Sequence, residues 1–516
     1  MTSSATRTSI TVPEAAADPR DAIFDTTEME QQLGRRAGRA SIFVLAISIL
    51  KIAQQIGSIA IIARLIPPED YGIFAMALPG VMIALALSNF GLPQAIVQRR
   101  TINHMHVSAL FWLNLAFASV MMVVLAALAW PAAAYYGEPR VVPVFQVISL
   151  SLLFSAMSSQ YLSILRRTLR IRAAELSTLV AELLGLAVAV IAALWGLSYW
   201  ALVLQQLVTP ILKTVFMAVQ CRWWPSAPHN VRFRDAMGSV SFGGFVAGFA
   251  ILHRLTEYSG TVVAGSFFTP AAAGLFYRAR NLAGIPPLRL IIPLSGVFVP
   301  TLSRLQDTPE EFRRMFVRLI SRANLALLPI AVFVAAASDP LVALLMGPDW
   351  SEAAPLLFWM SLFTLREGGT SGLQFAFIAC GKSRALFGFA ALRLVLVAGA
   401  LAAGAQHGLL AMAVAYTLCE LLITLPLMVA VAHRVTPISP RVFLAGSGLD
   451  MILAAALAAV LAWGVAPLVT GLPVLAQLVV LGAAVAGVYG VRVAISKDLR
   501  GDVRRVLESV LRRAKA

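Results

Sequence analysis

Residues 141–172 read VVPVFQVISLSLLFSAMSSQYLSILRRTLRIR, an apolar run that ends in a cluster of arginines. As a helix, the run is long enough to cross the hydrocarbon core of a membrane, which takes about 20 residues. Thirteen comparable runs lie on either side of it. Together they occupy residues 42–63, 72–93, 107–130, 141–163, 175–194, 199–219, 238–266, 272–300, 323–338, 353–380, 385–404, 409–431, 446–467 and 474–495. The sequence therefore predicts an all-α integral membrane protein with 14 transmembrane helices.

The connections between these runs fall into two classes by charge. Every even-numbered connection carries Lys or Arg, including a basic loop expected at 301–322, and both ends of the chain are basic. The odd-numbered connections carry only Arg64 and Arg140. Because Lys and Arg near the ends of spans stay on the cytoplasmic side, both termini and all even-numbered connections are predicted to be cytoplasmic.

Composition narrows the class of function. Orientation of the spans accounts for most of the net charge of +16, and no basic soluble domain is present to bind nucleic acid. The three cysteines lack a CxxC spacing, so we expect no disulfide, metal site or cofactor. The odd-numbered connections are short, the longest lying near 339–352, which leaves no room for a catalytic domain. We therefore expect a protein that is not an enzyme.

A repeated motif divides the chain into halves. Residues 68–74 read PEDYGIF and residues 270–276 read PAAAGLF, and both fit Pro-x-x-x-Gly-x-Phe. The same offset places Lys51 over His253 and Gln55 over Glu257. Such repeats predict two bundles with a binding site between them near the midplane. The predicted parts are a cytoplasmic tail (1–40), two six-helix lobes (41–222 and 223–435), two appended helices (436–496) and a basic cytoplasmic tail (497–516).

Ionisable residues interrupt the apolar runs, where they are costly and usually mark a pathway or an ion pair. Bases outnumber acids inside the predicted spans, which favours a water-filled cationic cavity for an anionic ligand. The candidate substrate-binding residues are Lys51, Gln55, His253, Arg254, Arg278, Arg280 and Arg366. The candidate ion-coupling residues are Glu257, Glu367, Glu182 and Glu420.

Spacing along the helices refines this set and leaves alternatives open. Arg278 and Arg280 are two residues apart, so they point in nearly opposite directions, and we expect at most one, Arg278, to line the cavity. Arg254 and Glu257 are three residues apart and can equally form a structural pair. Glu182 and Glu420 are single charges that are also consistent with structural partners.

Glycines cluster in the tenth predicted span. Gly368, Gly369 and Gly372 follow Arg366 and Glu367 inside an apolar run. Glycines at this density favour a bend or an unwound turn, and broken helices at membrane depth line cavities. The interpretation as a hinge competes with close helix packing, which small residues also permit.

Several segments resemble those of a known family. They are RLIPPEDYGIFAMA at 64–77, NFGLPQAIVQ at 89–98, GLSYWALV at 196–203, GLFYRARNL at 274–282, PTLSRLQD at 300–307 and GPDW at 347–350. In this order they resemble the polysaccharide transporter family, the Wzx-type flippases of the multidrug/oligosaccharidyl-lipid/polysaccharide exporter superfamily. The likeness covers about residues 40–435 and is closest to exporters of colanic-acid-like and succinoglycan-like exopolysaccharides.

The resemblance implies a V-shaped transporter of two helical lobes in the bacterial inner membrane. Such a transporter moves an undecaprenyl-pyrophosphate-linked oligosaccharide to the outer leaflet by alternating access, coupled to an H⁺ or Na⁺ gradient. Polymerase and chain-length-control proteins of the same pathway are then expected partners. Arg278 falls within the family-like GLFYRARNL segment. The alternatives are a drug/cation antiporter or a lipid II flippase of the same superfamily, or a membrane glycosyltransferase or polymerase.

Overall fold

The computed structural model describes residues 19–24, 33–88, 96, 102–231 and 244–495, and these residues contain helices but no strand. The helices of the first half are α1 (Leu33–Leu65), α2 (Pro68–Ser88), α3 (His104–Ala127), α4 (Ala129–Tyr136), α5 (Val141–Ser149), α6 (Ser151–Arg167), α7 (Ile171–Leu194) and α8 (Tyr199–Cys221). Short 3-10 helices lie at Pro19–Phe24, Pro228–Asn230 and Pro348–Trp350.

The second half contains α9 (Gly244–Phe267), α10 (Pro270–Ser303), α11 (Pro309–Ala336), α12 (Ser338–Leu345), α13 (Ala353–Thr364), α14 (Glu367–Ala379), α15 (Ser383–Ala405), α16 (Leu409–Leu418) and α17 (Leu425–Val435). The last helices are α18 (Pro440–Phe443), α19 (Leu449–Val460), α20 (Ala466–Val469) and α21 (Val474–Ile495). The π-helical turns Cys419–Thr424, Leu444–Gly448 and Leu461–Val465 connect neighbouring helices into longer rods.

Eleven helical segments among the described residues are long and apolar enough to cross a membrane, which makes the chain a multi-pass membrane protein. The predicted spans that fall short of this standard correspond to α9, α10 and the broken pair α13 and α14. These helices carry most of the ionisable residues singled out from the sequence. The total of 14 spans stays a prediction.

The segment between the eighth and ninth predicted spans corrects the sequence interpretation. Residues 301–322 were expected to form a basic loop, but α10 continues to Ser303 and α11 begins at Pro309. Phe312, Phe316 and Ile320 follow at four-residue intervals and are buried. This spacing gives α11 an apolar stripe against the protein, so the arginines of the segment lie on an amphipathic helix.

The two halves meet at the repeated motif. A Cβ atom on Gly72 would lie 1.6 Å from the carbonyl oxygen of Pro270, and one on Gly274 would lie 2.3 Å from the carbonyl oxygen of Pro68. Each glycine therefore permits the close approach of the other motif's backbone. The contact is reciprocal, as expected of equivalent elements, and α2 packs against both α9 and α10.

Hydrogen bonds join the halves at the same end of the helices. The Arg64 guanidinium donates to the carbonyl oxygen of Leu344 over 2.7 Å, and the Trp350 indole donates to that of Ala63 over 2.8 Å. Tyr135 donates its hydroxyl to Ser266 over 3.2 Å. These bonds lie at the odd-numbered connections, on the side predicted to be extracytoplasmic.

The helices after residue 436 attach to the second half. Asn324 of α11 donates its amide to the hydroxyl of Ser447 over 2.9 Å. Arg492 of α21 forms an ion pair with Asp450 of α19. Apolar residues of α19 and α21 also belong to the core cluster that contains Phe316, so these appended helices pack on the second half.

Candidate functional site

Two polar cavities lie side by side inside the helical bundle. One has a volume of about 420 Å³ and is lined mainly by α9, α10 and α14; we call it the second-half cavity. The other has a volume of about 460 Å³ and is lined mainly by α1, α2, α8 and α10; we call it the first-half cavity. Gln55, Tyr277 and Asn281 line both cavities and form a shared wall.

Helix α10 runs between the cavities and presents a different arginine to each. Arg278 lines the first-half cavity and Arg280 lines the second-half cavity. Residues two apart on a helix point in nearly opposite directions, which accounts for the separation. Each cavity is lined by one of the two arginines, and the preference for Arg278 over Arg280 as the substrate-binding residue stays a prediction.

Arg278 is a buried cation without a carboxylate partner among the described residues. Its side chain is 5% exposed and its guanidinium stacks 4.3 Å from the ring centre of Tyr71. Its Nε donor has no hydrogen-bond acceptor in the described part of the chain. A buried charge of this kind is costly, so Arg278 differs from the paired cations described below.

The other charges of the first-half cavity form a pair. Lys213 of α8 donates to Glu182 of α7 over 3.1 Å, and both side chains are partly exposed. The remaining polar lining is neutral and includes four glutamines: Gln54, Gln55, Gln205 and Gln206. With Arg278 unpaired, the cavity has an excess of one positive charge.

Contacts within the protein hold two cations of the second-half cavity, Arg254 and Arg280. Arg254 donates to the Glu257 carboxylate over 2.6 Å. Arg280 donates to the backbone carbonyl of Glu257 over 3.1 Å and stacks on the rings of Phe363 and Tyr416, at 4.7 Å and 5.4 Å from their centres. These contacts hold both guanidinium groups in fixed orientations beside one acid.

A second set of ion pairs lies behind this cavity. Glu420 is fully buried in the π-helical turn Cys419–Thr424. Its carboxylate accepts three hydrogen bonds from Arg393, at 3.0 Å, 3.2 Å and 2.6 Å, and lies 3.3 Å from Arg366. Arg393 also contacts a ring nitrogen of His253 over 3.3 Å, which connects the ion pairs to the cavity wall.

The structure separates the predicted site residues into three groups. Gln55, His253, Arg254, Glu257, Arg280 and Glu367 line the second-half cavity. Arg278 and Glu182 line the first-half cavity, which Gln55 also borders. Lys51, Arg366, Glu420, Gly368, Gly369 and Gly372 line neither.

Lys51 and Arg366 were expected in a cavity wall, and their placement is a correction. The Lys51 ammonium lies 2.5 Å from the Glu175 carboxylate and is 7% exposed. Arg366 is 4% exposed and lies 3.4 Å from Glu367 as well as near Glu420. Carboxylates therefore occupy both cations, which leaves neither available to a ligand in these cavities.

Sequence reasoning missed three kinds of residue at this site. Glu175, at the start of α7, follows the arginine cluster of residues 166–172 and was not considered an intramembrane acid. Arg393 was interpreted as a structural partner only, but it also lines the second-half cavity. The adjacent glutamines Gln205 and Gln206 were overlooked because they carry no charge, although paired amides inside an apolar run are a usable signal.

The glycines of the tenth predicted span lie against neighbouring helices. The helix is interrupted at residues 365–366, one turn before Gly369. Cβ atoms on Gly368, Gly369 and Gly372 would lie 2.1 Å, 2.6 Å and 1.8 Å from side-chain atoms of Asn324, Ser447 and Ile320, respectively. Close packing accounts for these glycines, and their role as a hinge stays a prediction.

The described residues contain no group of three His, Cys, Asp or Glu side chains that could hold a metal ion. An all-helical multi-pass membrane protein with buried polar cavities between its helices defines the class of a membrane transporter. Residues 61–355 match the family described as "Polysaccharide biosynthesis protein". The chain belongs to this family.

Individual relatives are named as proteins of polysaccharide biosynthesis. The chain is 27% identical to "Succinoglycan biosynthesis transport protein ExoT" of Rhizobium meliloti (strain 1021), over 68% of this chain and 71% of that protein. It is 24% identical to "Lipopolysaccharide biosynthesis protein WzxC" of Escherichia coli (strain K12), over 58% of this chain and 60% of that protein.

Solved structures of low sequence identity share the fold. The structure "Lipid II flippase MurJ, inward closed conformation" superposes with a TM-score of 0.63 and 12% identity, over 89% of this chain and 99% of that chain. An inward-facing multidrug resistance MATE family transporter of the MOP superfamily has a TM-score of 0.55 and 13% identity, over 81% of this chain and 98% of that chain. The all-helical fold is shared with these membrane transporters, whereas the V-shaped arrangement of two lobes stays a prediction.

Proposed function

We propose that this protein is a flippase that moves an undecaprenyl-pyrophosphate-linked oligosaccharide from the inner to the outer leaflet of the bacterial inner membrane. Family membership and the names of two transport relatives support the substrate class. In this proposal the termini are cytoplasmic, the two halves act as lobes that alternate access, and the product passes to polymerase and chain-length-control proteins.

The observation that carries the proposal is the unpaired Arg278 in a polar cavity. A guanidinium can bind two oxygens of one phosphate group at the same time, which suits it to a pyrophosphate head group. The bound anion would neutralise a charge that is otherwise buried without a partner. The polyprenyl tail needs no polar site, because it can remain in the lipid.

The cavity charges disfavour a drug/cation antiporter. A cation substrate requires a carboxylate that is free to receive it. The carboxylates that line the two cavities are each paired with a base: Glu182 with Lys213, Glu257 with Arg254, and Glu367 with Arg366. The excess charge of the first-half cavity is positive, which favours an anionic substrate.

The contacts between the halves support an inward-open resting state. Arg64, Trp350 and Tyr135 join the halves at the predicted extracytoplasmic end, together with the reciprocal glycine contact. Translocation then requires these bonds to break while the cytoplasmic ends of the lobes approach each other. A ligand favours this change only if it binds the outward-open state more tightly than the inward-open state.

The test of substrate binding is Arg278→Ala in the bacterial host. We expect the lipid-linked repeat unit to accumulate on the cytoplasmic face while the abundance of the protein is unchanged. The matched control is Arg441→Ala, which removes an exposed arginine outside both cavities. Normal polysaccharide export by the Arg278→Ala variant would refute the assignment of Arg278.

Ion coupling is assigned to Glu257, because its carboxylate lines the second-half cavity beside Arg254 and Arg280. Binding of H⁺ or Na⁺ to Glu257 would weaken its ion pair with Arg254 and return the transporter to its resting state. In proteoliposomes, Glu257→Gln should transport at a rate independent of the ion gradient, whereas Glu182→Gln should retain the dependence. Unchanged gradient dependence of the Glu257→Gln variant would exclude Glu257.

A further inference from the structure

We propose that the first-half cavity recognises the sugar attached to the pyrophosphate, and that Gln54, Gln205 and Gln206 select it by hydrogen bonds to its hydroxyl groups. This inference rests on the proposed function, because it places the sugar beside the phosphate that Arg278 binds. It adds a determinant of specificity that the charged residues cannot provide.

The first observation is the state of the three amide groups. Gln54 lies on α1, and Gln205 and Gln206 are adjacent on α8, so two helices bring them to the same cavity. All three side chains are partly buried. None of these amides makes a hydrogen bond to another residue within the described ranges, although each can donate two and accept two.

Amide groups match the chemistry of sugar hydroxyls. A hydroxyl both donates and accepts, and a glutamine amide offers a donor and an acceptor side by side. A charged side chain offers only one of these functions, as a carboxylate accepts and a guanidinium donates. Neutral amides beside a single cation therefore suit a ligand that has one anionic group and several hydroxyls.

The contrast with the second-half cavity supports this choice of ligand. There the polar groups contact one another, as Arg254 and Arg280 do through Glu257. In the first-half cavity, Arg278 and the three amides keep donors without acceptors in the described part of the chain. The partly exposed Tyr277 adds aromatic surface to the lining, against which the apolar face of a sugar ring can pack.

Hydroxyl recognition of this kind discriminates between similar sugars. A site that provides a hydrogen-bond partner for a hydroxyl rejects a ligand that lacks it, because the buried polar group is then left unpaired. One hydrogen bond is equivalent to about a tenfold change in affinity. The loss of two amides should therefore reduce the preference for the sugar-bearing lipid by about a hundredfold at most.

The experiment compares two lipids on the purified full chain in nanodiscs. The probes are undecaprenyl pyrophosphate and undecaprenyl pyrophosphate bearing one hexose, tested in turn with glucose, galactose and N-acetylglucosamine. We expect at least one sugar-bearing lipid to bind about tenfold more tightly than the bare lipid. The double variant Gln205→Leu with Gln206→Leu should lose most of this preference, because Gln54 is the one proposed sugar-binding amide that it keeps.

Two controls identify the source of any change. Gln220→Leu alters an exposed glutamine on the same helix and should retain the preference. Arg278→Ala should weaken binding of both lipids by the same factor, since it removes the phosphate partner only. A melting temperature measured for each variant shows that the chain is folded, and Gln205→Asn gives a second variant that keeps the amide.

The outcomes separate this inference from the proposed function. Equal affinity of the wild-type chain for the bare lipid and all three sugar-bearing lipids would overturn the sugar site, while binding of a pyrophosphate lipid that depends on Arg278 would still support the flippase. A preference that persists in the double glutamine variant would also overturn it. Failure of the wild-type chain to bind any of the four lipids would contradict both proposals.

Discussion

The first-half cavity and the second-half cavity share a wall but differ in how their charged side chains are paired. In the second-half cavity and the ion pairs behind it, Arg254, Arg366 and Arg393 are all paired with carboxylates. In the first-half cavity Arg278 has no such partner among the described residues. Arg280 also lacks a carboxylate partner, but its Nε donates to a carbonyl oxygen, whereas the Nε of Arg278 has no acceptor among the described residues.

The internal repeat shows that this difference lies between the halves. At the offset of the repeated motif, Arg278 and Arg280 correspond to Met76 and Leu78 of the first half. The later offset, which aligns Arg384 with Arg172, places Glu420 over Val208. The buried ion pairs thus have apolar counterparts in the first half. The fold is repeated, but the ionic network belongs to one half.

The largest expected effect comes from removing the carboxylate at the centre of that network. Glu420→Gln leaves Arg393 and Arg366 buried without a full negative charge, and such a loss costs about 3–5 kcal/mol. The melting temperature in detergent should fall strongly. Glu182→Gln breaks a partly exposed pair and should cost about 1 kcal/mol or less. Equal melting temperatures for the two variants would contradict the expected difference between the buried ion pairs of Glu420 and the partly exposed pair of Glu182.

A smaller effect is expected at the contact between the halves. Gly72→Ala places a methyl group against the carbonyl oxygen of Pro270, and overpacking of this kind costs about 1–3 kcal/mol. Gly274→Ala should have a similar effect, because the contact is reciprocal. Gly57→Ala adds a methyl group where no atom lies within 4 Å and is the control. Melting temperatures of the three variants test this, and a stable Gly72→Ala variant would speak against the tight contact.

Arg64 and Arg140, the two basic residues of the odd-numbered connections, should differ in their effect on opening of the extracytoplasmic side. Arg64→Ala removes a hydrogen bond between the halves, whereas Arg140 bonds to Glu69 and Glu138 within the first half. We expect Arg64→Ala to increase extracytoplasmic labelling of an Asn281→Cys variant, free of other cysteines, about fivefold, the equivalent of about 1 kcal/mol. Arg140→Ala should leave labelling unchanged. Equal labelling in both variants would exclude Arg64 from the closure.

The smallest effect concerns the exposed ion pair of Arg140 and Glu138. The hydrogen bond from Arg140 lowers the pKa of the Glu138 carboxyl below its ordinary value. A lowered pKa means that the pair stabilises the protein above the ordinary pKa of glutamate and that this contribution is lost as the pH falls through the lowered value. Glu138→Gln should change the melting temperature little at pH 7, since exposed pairs contribute about 0–1 kcal/mol. The difference between wild type and variant should disappear only in strong acid.

The positions of most helices could be predicted from the sequence because apolar length alone determines which segments cross a membrane. The opposite directions of Arg278 and Arg280 could also be predicted, because the angle between residues on one helix is constant. The basic segment after α10 was misread as a loop. Its buried phenylalanines at four-residue intervals were the signal for a helix, and the charge pattern obscured them.

Ion pairing could not be predicted in the same way, because it depends on which helices become neighbours. Lys51 and Glu175 are 124 positions apart, and Arg393 and Glu420 are 27 apart. An excess of bases in the sequence indicated that some cation must remain unpaired. The structure shows that Arg278 and Arg280 of α10 lack a carboxylate partner among the described residues, and that the Nε of Arg278 has no acceptor there either.

The wall formed by Gln55, Tyr277 and Asn281 has a thermodynamic consequence. A head group beside Arg278 and an ion at Glu257 would occupy opposite sides of a single helix, so each would alter the environment in which the other binds. Linkage makes this influence mutual: if the lipid changes the affinity for the ion by some factor, the ion changes the affinity for the lipid by the same factor. Cargo and ion would then influence each other's binding through α10, with no direct contact between them.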